Sequence, residues 1–213
     1  RCFLRDGVMR PYVYQDGPAA IFANVIELYN AQVDAFKQFV VGTVTVTDPN
    51  NYIRLENESA EQISDVIDKL VEMIAASKKP FIICGGGVVR GRAHEEFREF
   101  ARRIDAPVAI TLMGGGGISG TDPLATGMIG MHGSQASNMA VAGCDLLIAV
   151  GCRFSDRVAL NPATFAQQAK IVHIDIDRSE IDKNVLTDHH IIGSARKVIA
   201  ALNERLPQYS HPE

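Results

Sequence analysis

The chain has 213 residues, 46% hydrophobic and 22% charged, with a formal net charge of -4 at pH 7. That composition belongs to a globular protein able to bury a sizeable core, and the lack of a basic run argues against nucleic acid as a partner. No stretch approaches the ~18 consecutive apolar residues a membrane span needs, and no signal-peptide pattern is visible.

In chain order, residues 1–55 read as an N-terminal segment distinct from the rest of the chain. Ile21, Val25, Leu28, Val33, Phe36 and Val40 place an amphipathic helix over 18–41. TVTVT (43–47) alternates as a half-buried strand does, DPNN (48–51) is a turn, and the boundary is expected within 48–58. Ser59 and Gln62 form a capping box for a helix carrying Ile63, Val66, Ile67, Leu70, Val71 and Ile74, with Pro80 closing it. FIIC (81–84) is a buried strand that GGG (85–87) breaks. Phe97, Phe100, Ala101 and Ile104 give a second helical stripe, and PVAIT (107–111) another strand. GMIGMHG (127–133) reads as a loop, and Ser134 or Ser137 starts a helix near 134–142. DLLIAV (145–150), IVHID (171–175) and HII (190–192) complete the strands, and Ser194 caps a last helix through Val198, Ile199, Leu202 and Leu206.

Strands alternating with helices imply a doubly wound α/β domain over 56–208, with a mostly parallel sheet, helices on both faces and a short tail at 209–213. Cys84 and Cys152 lie in or beside apolar runs, and none of the four cysteines forms a C-x-x-C pair. This pattern implies buried free thiols in a reducing, cytoplasmic setting. The chain opens with Arg1 rather than Met, which fits a piece of something longer.

In such a sheet, ligands bind outside the carboxyl ends of the strands. Gly85, Gly86 and Gly87 can approach a ligand closely, although the run departs from G-x-G-x-x-G at Arg90. Arg153 and Arg157 stand four apart at a strand exit with Asp156 between them. They suit a diphosphate, or equally a surface ion pair with Asp156. Asp175 ends a strand of buried residues, where it is placed to accept hydrogen bonds from ligand hydroxyls; Asp177 is read as a turn cap. His132 is open to a base role or a local hydrogen bond, and no second ligand stands at metal spacing. His189 and His190 fall at a strand start and receive no role.

Together, GGGVV, PVAITLMG, GMIGMHGSQASN, CDLLIAVGCRFSDRV and FAQQAKIVHIDIDRSEIDKN resemble the middle domain of the acetolactate synthase catalytic subunit, a thiamine-diphosphate enzyme family. The resemblance covers about residues 60–206. It implies FAD bound in extended form, with no net redox role. It implies that Gly85, Gly86 and Gly87 lie near the adenosine or diphosphate, and that Thr111, Leu112 and Met113 touch the ribityl and ring region. Met131, His132 and Gly133 would flank the flavin. Gly151, Arg153, Arg157 and Val158 would hold the diphosphate side, and Asp175 and Ile176 the adenosine. Met131, Asp156 and Arg157 also resemble residues of a substrate channel.

The parent family condenses two 2-oxo acids, with pyruvate as donor, in branched-chain amino acid biosynthesis. It uses thiamine diphosphate and Mg²⁺ held by two further domains, and works as homo-oligomers. This sequence departs from it in two ways. The loop MGGGG lacks a larger residue among its glycines, and neither the catalytic glutamate nor the G-D-G…N-N motif is recognisable. The chain alone is therefore expected to be inactive. A non-catalytic assembly module with a vestigial nucleotide site is the alternative, and an NAD-binding domain a weaker one.

Overall fold

A computed structural model describes residues 2–5, 8–11 and 60–211. The chain forms two compact units, Arg1–Tyr52 and Ile53–Glu213. In the first, β1 (Cys2–Arg5) pairs antiparallel with β2 (Val8–Pro11), which the sequence pattern does not announce. The expected helix over 18–41, strand 43–47, turn 48–51, boundary and Ser59–Gln62 capping box lie outside the described residues.

The second unit runs α1 (Ala60–Ala76), β3 (Pro80–Cys84), α2 (Gly86–Arg90), α3 (His94–Arg103) and β4 (Val108–Ile110). It continues through β5 (Ala125–Met128), α4 (Gln135–Gly143), β6 (Leu146–Val150), α5 (Asp156–Ala159), β7 (Lys170–Asp175), β8 (His189–Ile192) and α6 (Ala195–Arg205). The six strands pair in the order β5-β4-β3-β6-β7-β8, every pairing parallel. The chain leaves β3 toward one edge and, from β6 on, builds toward the other. The reversal opens a crevice beyond the carboxyl ends of β3 and β6.

Side-chain alternation sends each strand into two cores. Ile82, Leu146, Ile148, Val172 and Ile174 pack with Phe97 and Phe100 of α3 and with Ile199 and Leu202 of α6. Phe81, Ile83, Leu147, Ala149 and Ile171 pack on the other face with Val141 of α4 and with Phe154. Burial on both faces explains why β3 and β6 are unbroken apolar runs.

Three local expectations are corrected. Pro80 does not close α1; the helix ends at Ala76 and Pro80 is the first residue of β3, a place where a missing N–H is tolerated. The glycine run does more than break β3, because Gly86 begins a short helix at once. Gly127 and Met128 belong to β5 rather than a loop. That edge strand, ATGM, is only partly buried and has no apolar run to announce it.

Candidate functional site

The crevice holds a cavity of about 460 Å³, within the ~300–1,000 Å³ range of small-molecule sites. Gly86 and Arg90 of α2 line one side, and Gly151, Arg153, Arg157 and Val158 the other. Thr111, Leu112, Met113 and His132 also line it, and of these residues all but Arg90 were marked from the sequence. Gly85, Gly87, Met131, Gly133, Asp156, Asp175 and Ile176 are not among the lining residues.

Local bonding explains these positions. The Thr111 hydroxyl accepts the Gly114 N–H at 3.1 Å, capping a 3₁₀ turn over Leu112–Gly114. That turn leaves Leu112 81% and Met113 65% exposed. Asn138 clamps the loop after β5, accepting from Gly130 N–H at 3.0 Å and donating to its carbonyl at 3.1 Å. The Met131 N–H donates to the Arg157 carbonyl at 2.9 Å, joining that loop to α5. Met131 and Arg157 are therefore neighbours, although only Arg157 reaches the cavity. Ser134 caps α4 by accepting the Ser137 N–H, as its sequence position suggested.

The glycines serve backbone packing as much as any ligand. Gly85 N–H donates to the Val150 carbonyl at 2.8 Å, and Gly87 N–H to the Gly151 carbonyl at 3.0 Å. A Cβ on Gly85 would lie 2.0 Å from the Gly151 oxygen. Of the three, Gly86 alone faces the cavity.

Three guanidiniums rim the site. Arg153 Nε lies 3.9 Å from buried Glu180, whose carboxylate also accepts from Lys183 at 3.0 Å. Among the described residues Asp156 forms no ion pair with Arg153 or Arg157, and neither Arg90 nor Arg157 faces a carboxylate. Arg90 is the residue sequence reasoning missed. Its signal was present, since it stands where the dinucleotide fingerprint would need its third glycine. The site thus joins an apolar wall to a cationic rim and suits binding of an anionic molecule with an apolar part. Cys152 also lines it, but burial, chiefly, pushes its thiol up to about 12, too high for a nucleophile near neutrality.

Asp175 stands at the exit of β7. Its Oδ1 accepts the Asp177 N–H at 2.9 Å, and its Oδ2 lies 3.7 Å from Nε2 of His173. Burial raises its pKa, but the facing imidazole and the N–H groups of Asp177 and Ile176 outweigh that and hold the carboxyl below the ordinary range. Asp177 caps the next turn through the Ser179 N–H, as expected. Ile176 is exposed and offers only an apolar surface. His173 is 0% exposed, and neither ring nitrogen has a hydrogen-bond partner. Leaving a buried polar group so costs about 1–3 kcal/mol.

The sequence profile of the family described as "Thiamine pyrophosphate enzyme, central domain" matches residues 67–202. A probable acetolactate synthase large subunit of Methanocaldococcus jannaschii is 51% identical over 136 residues, covering 64% of this chain and 23% of the relative. An acetolactate synthase of Mycobacterium avium is 41% identical over 175 residues, 82% of this chain and 28% of the relative. The chain thus spans about a quarter of the length of these relatives. A Mycobacterium smegmatis protein described as thiamin diphosphate-dependent superposes with a TM-score of 0.59 at 22% identity, over 68% of this chain and 28% of that one. At that identity the likeness speaks for the fold alone.

Proposed function

Because the chain belongs to the thiamine pyrophosphate enzyme central-domain family, we propose that residues 56–208 form a nucleotide-binding middle domain, of the FAD type, in an acetolactate synthase-like enzyme. The observation that carries this reading is the division of the switch-point cavity. Leu112, Met113 and Val158 make an apolar wall, and Arg90, Arg153 and Arg157 a cationic rim. FAD has the matching division between a flat ring and a dianionic diphosphate. Arg90, Arg153 and Arg157 would hold the diphosphate, Leu112, Met113 and His132 would take the ring side, and Asp175 would meet the ribose. Met131, Asp156 and Arg157 would lie toward the substrate. When bound, the flavin supplies no net redox step.

In the same reading the parent protein condenses two 2-oxo acids, with pyruvate as donor. Thiamine diphosphate and Mg²⁺, held by the other two domains, supply the carbanion chemistry. The chain alone makes no acetolactate, and the parent is a cytoplasmic homo-oligomer. The competing reading, a spacer module with a vestigial site, draws on Gly85 and Gly87, whose N–H groups β6 and its exit engage. It leaves Arg90 and Arg157 without a purpose. The experiment is competition: ADP should displace FAD from a single site while riboflavin alone should not. Failure of both FAD and ADP to bind would contradict the reading.

A further inference from the structure

His173 is out of place for folding alone. It sits in β7 between Val172 and Ile174, fully buried, with both ring nitrogens unpartnered. An apolar side chain of similar size would be the more stable choice there. Phe154 meets the ring edge-on at 5.0 Å, a contact any aromatic could make. The other ionisable groups nearby leave it little to do. Asp182 is engaged by the Thr187 N–H and hydroxyl, both at 2.8 Å, and His190, in register on β8, is exposed. Cys152 is fully buried with its thiol protonated. Asp175 remains. One of its oxygens is tied to the Asp177 N–H at 2.9 Å, and the other faces His173 Nε2 at 3.7 Å. The carboxylate is bracketed, backbone on one oxygen and imidazole on the other.

We propose that His173 is a positioning residue for Asp175: the ring N–H holds the carboxylate so that its outer lone pairs face the hydroxyls of a bound nucleoside. The proposal rests on the reading that the crevice takes a nucleotide. A shift of roughly 0.8 Å would bring the pair to an ordinary N–H···O distance. A ligand hydroxyl on the outer lone pairs fixes the carboxylate in that place. The imidazole is then kept for binding, at the expense of stability.

That trade gives a signature a structural histidine would not show. FAD and ADP are titrated into the wild-type chain and into Asp175→Asn, His173→Phe and His173→Gln, with melting temperatures for each. His173→Phe should raise the melting temperature by about 3 °C yet weaken FAD and ADP binding about tenfold, as Asp175→Asn does. His173→Gln, which keeps a donor, should recover most of the affinity. An ADP lacking both ribose hydroxyls should bind wild type and His173→Phe alike. A wild-type chain that takes neither FAD nor ADP ends the nucleotide reading and this proposal with it. Wild-type binding that falls in Asp175→Asn but not in His173→Phe overturns the proposal alone. So does a lowered melting temperature in His173→Phe, which would mark the imidazole as structural.

Discussion

Gly87 and Gly151 meet backbone to backbone just past the paired ends of β3 and β6. Gly87 N–H donates to the Gly151 carbonyl at 3.0 Å, and a Cβ on Gly151 would lie 2.4 Å from Gly87 Cα. Gly151 also has φ of +59°, a conformation that penalises any side chain. Gly151→Ala should therefore destabilise the chain by about 3 kcal/mol, lowering its melting temperature by roughly 10 °C. Gly120→Ala, where a Cβ meets nothing within 4 Å, is the control and should change it little. Thermal melts followed by circular dichroism compare the two.

The cationic rim makes a second prediction. Arg90 and Arg157 line the cavity and face no carboxylate among the described residues. Arg90→Gln and Arg157→Gln should each weaken ADP binding about fivefold, with the melting temperature unchanged. The deficit should shrink as salt rises, because screening weakens the wild-type attraction. ADP titrations at low and high ionic strength measure it.

Asp145 predicts a pH dependence. It gathers the Ser77 hydroxyl and the N–H groups of Lys78 and Lys79, binding the turn before β3 to the start of β6. Burial raises its pKa, but those donors outweigh burial and depress it. A depressed carboxyl stabilises the fold above its unfolded pKa of about 3.9, and loses that contribution as pH falls through the folded value. Asp145→Ala should cost about 2 kcal/mol at neutral pH, and the gap to wild type should narrow below about pH 4. Urea melts across that range test the sign.

The thiols give a chemical prediction. Burial, chiefly, pushes Cys84, Cys144 and Cys152 up to about 12. At pH 8 roughly one in ten thousand of each is thiolate. Iodoacetamide should leave all three unmodified in the folded chain and alkylate them in urea, as read by peptide mass spectrometry.

The parallel sheet was legible because strands buried on both faces are continuous apolar runs, as in LLIAV of β6. ATGM of β5 was not, because an edge strand with a glycine carries no such run. A strand exit pointed to Arg153 and the family resemblance to Thr111, Leu112, Met113 and Gly151, all of which line the cavity. Arg90 escaped notice because its place depends on α2 forming directly after Gly85. Asp175 was placed at the right strand end, but the direction of its oxygens depends on His173 and on the Asp177 N–H. The need for small residues at Gly85 and Gly87 was readable. That the exit of β6, rather than a ligand, fills the space beside them depends on the sheet order.

The switch-point cavity, read as a flavin-nucleotide site, is open to a direct test. The most direct measurement is a titration of FAD with the wild-type chain, followed by flavin fluorescence, with Arg153→Gln in parallel. A flavin-nucleotide site predicts a saturable change at one site per chain, reversed by ADP and weakened in Arg153→Gln. A fluorescence signal that never saturates, together with no ADP binding, would contradict it and leave the spacer-module reading in its place.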